Sequence, residues 1–159
     1  MKKSTLTISL IFLAVVLAGC IEVFVDIKPQ SCPNPLNVKC KDVLPVAILG
    51  TDTFDVFDID VTTVTLAGVE PINYSYEDVS TPIVKSDEGC ECTEAGPDGY
   101  LDLVLHFDTQ EIVKAIESEI GPVIDGEELP LPFFGALFDV DTEEIMGYDC
   151  VVIRNKGRD

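Results

Sequence analysis

Between Ile21 and Ile153 the chain is cut into short apolar segments of strand length, separated by clusters rich in proline, glycine, asparagine and aspartate. That spacing leaves little room for anything but β-structure. Ile21, Val23, Val25 and Ile27 alternate along one predicted strand that Pro29 ends, and the Ser31–Asn37 stretch has turn chemistry, with Pro33 and Pro35 fixing φ. Leu44 to Leu49 is a continuous apolar run closed by Gly50, which suits a strand buried on both faces. Val61 to Leu66 is β-branched. Leu101, Leu103, Leu105 and Phe107 alternate with Asp102, Val104, His106 and Asp108, predicting a half-buried strand with Asp102 and His106 toward solvent. Asp108 can then cap a helix, with Glu111 reaching back, Ile112, Val113, Ile116 and Ile120 on one face, and Gly121-Pro122 as the stop. Leu129–Phe138 and Tyr148–Ile153 predict a closing hairpin, its first arm pushed toward a sheet edge by Pro130 and Pro132. The expected fold is all-β, an immunoglobulin-like β-sandwich with one short helix over about residues 109–120. No internal repeat or linker divides it.

The first residues carry a different message. Lys2 and Lys3 precede an apolar run from Leu6 to Ala18, too short for the ~20 residues of a membrane span, and small residues close it. These are the parts of a secretory signal. Leu17-Ala18-Gly19-Cys20 resembles the lipobox of prokaryotic lipoproteins, which implies cleavage after Gly19 and a diacylglycerol thioether on Cys20. The expected organisation is a signal peptide over 1–19 and a single domain over 20–159, held to the outer membrane face through that lipid. One acyl chain anchors only marginally, so a second is expected beside it.

Loss of residues 1–19 removes two lysines and no acid, moving the net charge from −19 to −21. So acidic a surface repels nucleic acid and anionic headgroups, which excludes nucleic acid as a partner class. The acids are dispersed rather than gathered in a tail, the pattern of a solvated surface.

Export makes the six cysteines, at 20, 32, 40, 90, 92 and 150, disulfide material. Lipidation of Cys20 leaves five, so one is odd; an even six would suit an unlipidated protein better. Cys90 and Cys92 are too close to bridge each other without strain, so each is expected to take a distant partner. A bridge from Cys32 to Cys150 would restrain the unfolded chain by ~3–5 kcal/mol. The disulfide candidates are Cys32, Cys90, Cys92 and Cys150.

Val25-Asp26-Ile27-Lys28-Pro29, Ser31-Cys32-Pro33-Asn34-Pro35-Leu36-Asn37 and Leu44-Pro45-Val46-Ala47-Ile48-Leu49-Gly50-Thr51 resemble a β-rich domain that recurs in exported bacterial and archaeal proteins. Asp98-Gly99-Tyr100-Leu101-Asp102-Leu103, Phe107-Asp108-Thr109-Gln110-Glu111-Ile112 and Cys150-Val151-Val152-Ile153 extend the resemblance over nearly the whole mature chain. It implies one extracytoplasmic domain of surface or secreted proteins and no particular activity. Cys40 stands where such sequences usually carry no cysteine, which makes it the candidate odd thiol, and the stretch before Asp98 is poorer in acids than usual.

That stretch holds the one site-like motif. Glu94, Asp98-Gly99 and Asp102 resemble part of a D-x-D-x-D-G calcium loop, in which alternate residues aim carboxylates around a glycine turn. Gly96 offers no side-chain oxygen, so Asp87, Glu88, backbone carbonyls or water would have to complete a weak shell; a polar turn leading into a strand is the plainer reading. Calcium is thus the one cofactor considered. His106 has no serine or cysteine nucleophile beside it in a recognisable motif, and dispersed pairs such as Asp58 and Asp60 define no glycosidase site. The expected function is a lipid-anchored extracytoplasmic binding or structural module of the cell surface, not an enzyme, with a surface protein or polysaccharide as partner. The alternative is a secreted hydrolase with a site built from scattered carboxylates.

Overall fold

The computed structural model describes residues 19–86, 89–138 and 143–155. Residues 1–18, Asp87, Glu88, 139–142 and 156–159 lie outside them. The described residues form two sheets around one apolar core, with one α-helix and a short 3-10 turn at Val56–Asp58. The strands are β1 (Ile21–Glu22), β2 (Val25–Ile27), β3 (Pro35–Asn37), β4 (Val43–Ile48), β5 (Ile59–Leu66), β6 (Asn73–Glu77), β7 (Asp102–Asp108), β8 (Glu128–Leu137) and β9 (Glu144–Arg154), with α1 at Thr109–Ile120. One sheet runs β1-β9-β8-β5, with β3 also on β9; the other runs β2-β4-β7-β6. Ile27, Leu44, Val46, Ile48, Leu103, Leu105 and Phe107 of the second sheet meet Leu36, Ile59, Leu66, Phe133, Ile145 and Val151 of the first in the core. Each such side chain, fully buried, contributes roughly 1.5–3 kcal/mol.

The alternation from Ile21 to Ile27 belongs to two strands rather than one. Ile21 and Glu22 pair in parallel with Ile145 and Met146, whereas Val25 to Ile27 pair antiparallel with Val46 to Ile48. The change of sheet falls between neighbours: Val23 N donates to Met146 O at 2.8 Å and Leu49 N donates to Phe24 O at 2.9 Å. Gly147 makes the crossing possible, because a Cβ there would lie 2.5 Å from the Val23 carbonyl oxygen and 2.7 Å from a Val25 methyl. Period-two alternation is identical in both sheets, so the sequence pattern is blind to the jump.

Two other expectations are corrected. β8 is an interior strand, between β9 and β5. Pro130 and Pro132 are tolerated because they precede Phe133, where the ladder to β5 begins, and Pro132 needs only its carbonyl, which accepts from Ala67 N at 2.8 Å. β3 and β6 form strands out of stretches with little apolar periodicity; β6, Asn-Tyr-Ser-Tyr-Glu, is an edge strand carried by its ladder to β7. The helix keeps its expected bounds. Asp108 accepts from Gln110 N and Glu111 N, while Glu111 turns away to Lys114 at 2.6 Å instead of closing a capping box, and Ile120 is left exposed.

Candidate functional site

Inside a strand an aspartate flanked by apolar residues has to face something, and among the described residues three such aspartates, Asp26, Asp102 and Asp149, are at least nine-tenths buried. Asp26 and Asp102 are buried because the segment from Asp78 to Leu101, which has no regular secondary structure in its described part, lies against the outer face of the β2-β4-β7-β6 sheet, and Asp149, on β9, is enclosed by Ile27, Asn34 and Lys85. Asp102 therefore does not face solvent as the alternation predicts. Its Oδ1 accepts from Gly50 N at 3.0 Å and its Oδ2 from Val79 N at 2.9 Å and Ser80 N at 3.2 Å. Burial, and next to it the charge of Asp78, raises its pKa against the lowering effect of those three N–H groups. Leu101, assigned to the buried face by the same alternation, is exposed. His106 is half-buried, its Nδ1 without a hydrogen-bond partner among the described residues.

Two disulfides staple the covering segment. Cys92 is bonded to Cys32 and Cys90 to Cys150, so neighbours separated by Glu91 alone tie the segment to the β2–β3 connection and to β9. All four candidate cysteines are bridged, in a pairing other than Cys32–Cys150, and Cys20 and Cys40 are free. Bridges of this kind belong to an oxidising compartment outside the cytoplasm. Gly89 fits the staple tightly: at φ 75° it favours glycine, and a Cβ would collide with the Tyr148 hydroxyl.

Between the N-terminal residues 22–26, the stapled segment and β9 opens a cleft of about 550 Å³. Phe24, Leu49, Ile83 and Val84 supply apolar wall; Asp26, Lys85, Tyr148 and Asp149 supply polar groups; Glu22 and Glu91 add acidic groups to the lining. Asp149 holds the N-terminal strands in place, its Oδ2 accepting from Ile27 N at 2.7 Å and Asn34 Nδ2 at 2.9 Å. Its Oδ1 pairs with Lys85 Nζ at 2.7 Å, and the same ammonium donates to Tyr148 O at 2.8 Å and sits 4.9 Å over the Tyr148 ring. Ser80 Oγ donates to Asp26, and Ser86 Oγ to Glu91. Comparison with family models, curated proteins and solved structures finds no match. The site has to be read from its own chemistry.

The calcium-loop residues are not brought together. Asp102 spends both oxygens on backbone N–H groups, Glu94 is exposed, and Asp98 Oδ1 accepts from Tyr100 N at 3.0 Å within its own turn. Asp78, which sequence reasoning missed, organises that turn by accepting from Asp98 N at 3.0 Å and Gly99 N at 2.8 Å. Asp87 and Glu88, the supplementary ligands, lie outside the described residues. Among the described residues the one grouping of metal-type donors is Cys90, Glu128 and Cys150, and it contains a bridged pair with no thiolate to give.

Asp26 gives the cleft a measurable signature. Its pKa is pushed up to about 6, first by burial; Ser80 and Lys85 act against the rise, while the charges of Asp149 and Asp102 add to it. A carboxyl raised above its unfolded value of 3.8 favours folding below that value, and the contribution is lost as pH climbs through about 6. The shift corresponds to about 3 kcal/mol. Asp26→Asn, which keeps an acceptor for Ser80 and carries no charge, is therefore expected to gain about 3 kcal/mol over the parent between pH ~4 and pH ~8. Urea unfolding of both proteins across that range checks it; a constant difference would show that Asp26 titrates normally.

Proposed function

We propose that the chain is a lipid-anchored extracytoplasmic binding module of the cell surface, an immunoglobulin-like sandwich that presents the cleft beside β9 and performs no catalysis. The cleft carries the reading. It has the size of a ligand pocket and walls that mix apolar surface with convergent polar groups, held by a covalently braced segment. Cys20 is exposed directly ahead of β1, whose Glu22 lines the cleft, so a lipid on Cys20 would keep the opening near the bilayer surface. A membrane reached through that lipid and a surface protein or polysaccharide are the partner classes this placement suits.

Asp26 supports a second reading, a secreted hydrolase, since a buried carboxyl with a raised pKa in a cleft is what a general acid requires. The binding module is the better supported of the two. Asp149, the buried carboxylate beside it, has its oxygens committed to Ile27, Asn34 and Lys85, and Glu91 is tied to Ser86, so neither is free to act as nucleophile or base.

The anchoring half is tested on native protein. Partition into a detergent phase is expected, with Cys20→Ala leaving the protein unprocessed or released. An intact mass showing an unmodified Cys20, or cleavage at another residue, contradicts it.

A further inference from the structure

We infer that the cleft selects a small ligand bearing a primary ammonium group on a short aliphatic body, with Asp26 as its counter-ion. The inference rests on the reading of the cleft as a binding site and adds the chemistry of what enters it. Charge accounting within the cleft points this way. Lys85 is the one cation among the described lining residues, and its ammonium is saturated by Asp149, the Tyr148 carbonyl and the Tyr148 ring. Asp26 is only 5% exposed and lines the cleft, yet Ser80 fills just one of its oxygens; among the described residues no donor fills the other. A mostly buried carboxylate whose open oxygen is still accessible is met there by water, and a charged donor satisfies it better. Glu22 and Glu91 in the lining add negative potential, which disfavours anions.

The wall shows that an ammonium is accommodated in this cleft, since Lys85 lays its charge between a carboxylate, a carbonyl and an aromatic face. Phe24, exposed by 39%, and Val84, exposed by 90%, offer apolar surface in the lining of the cleft, which matches an aliphatic body.

Three probes of one shape decide the matter, n-butylammonium, 1-butanol and butyrate, titrated at about pH 8, where Asp26 is ionised, and followed by backbone amide shifts. Butylammonium is expected to shift the signals of Val25, Thr81 and Tyr148 and to bind at least about tenfold more tightly than butanol, with butyrate inert. Asp26→Asn should remove the preference for the amine while leaving the fold's amide spectrum intact. Butanol binding as well as the amine, or an amine preference that survives Asp26→Asn, overturns the inference and leaves the cleft a binding site. Absence of any shift at cleft residues with all three probes overturns both.

Discussion

Replacing Cys90 and Cys150 by serine is expected to lower the free energy of unfolding by about 4 kcal/mol, and the same change at Cys32 and Cys92 by a similar amount. Each bridge closes a sequence separation of 60 residues, which sets that magnitude in the chain-entropy account. Losing both is expected to leave the chain largely unfolded at ambient temperature, since a domain of this size holds only about 5–15 kcal/mol in all. The effects should be less than additive, because Cys90 and Cys92 anchor one segment and freeing either end already loosens the other. Urea titration with and without reductant measures it, and peptide mapping without reduction should return Cys32–Cys92, Cys90–Cys150 and a free Cys40. A midpoint indifferent to complete reduction would contradict the role given to the staples.

The second large effect is expected at Asp149. Asp149→Ala strips the acceptor from Ile27 N and Asn34 Nδ2 and leaves the Lys85 ammonium, whose side chain is 15% exposed, without its carboxylate. Breaking one side of a buried pair costs about 3–5 kcal/mol, mostly because the other side stays buried. The N-terminal residues should loosen with it, since Ile27 and Asn34 are tied to β9 through this side chain. Lys114→Ala is the control. Its bridge to Glu111 lies on the surface, with both side chains more than half exposed, and its loss should be small beside that of Asp149. Chemical denaturation of the two variants should separate them clearly; equal small effects would mean that the Asp149 network is not holding the N-terminal strands.

Where apolar periodicity and local capping decide structure, the chain is legible. The Leu44–Leu49 run, the strand before Asp108, the helix from Thr109 to Ile120 and the hairpin of β8 and β9 all follow from residues close to one another. The four bridged cysteines are legible as a set but not as pairs, because pairing depends on where residues 78–101 lie. That segment is also why Asp102 was misplaced: alternation tells which side of a strand a residue takes, not what covers that side. The cleft was out of reach for the same reason. Asp26, Ser80 and Asp149 meet only through the packing of a stretch with no periodicity of its own. A signal was nonetheless present, in aspartates set between apolar neighbours in Val25-Asp26-Ile27 and Tyr148-Asp149-Cys150. An acid costs too much there unless the fold gives it donors.

The two adjacent staples also define a route for tension. Traced along covalent bonds, the path from the N-terminal end passes through Cys32 to Cys92, back across Glu91 to Cys90, and over to Cys150 in the last strand. A pull applied between the residue ahead of β1 and the end of β9 would therefore bypass nearly everything between Cys32 and Cys150, and only the short terminal segments could pay out. Those segments are residues 20–32, with β1 and β2, and the end of β9 beyond Cys150; β1 runs parallel to β9, and the end of β9 runs parallel to β3, so such a pull loads these pairs along the strands, in shear, and their hydrogen bonds must fail together rather than one by one. If the domain is tethered at Cys20, drag on the rest of the molecule would stretch the tether region and, within the cleft's covering segment, load only the Cys90-Glu91-Cys92 stretch that carries the two staples.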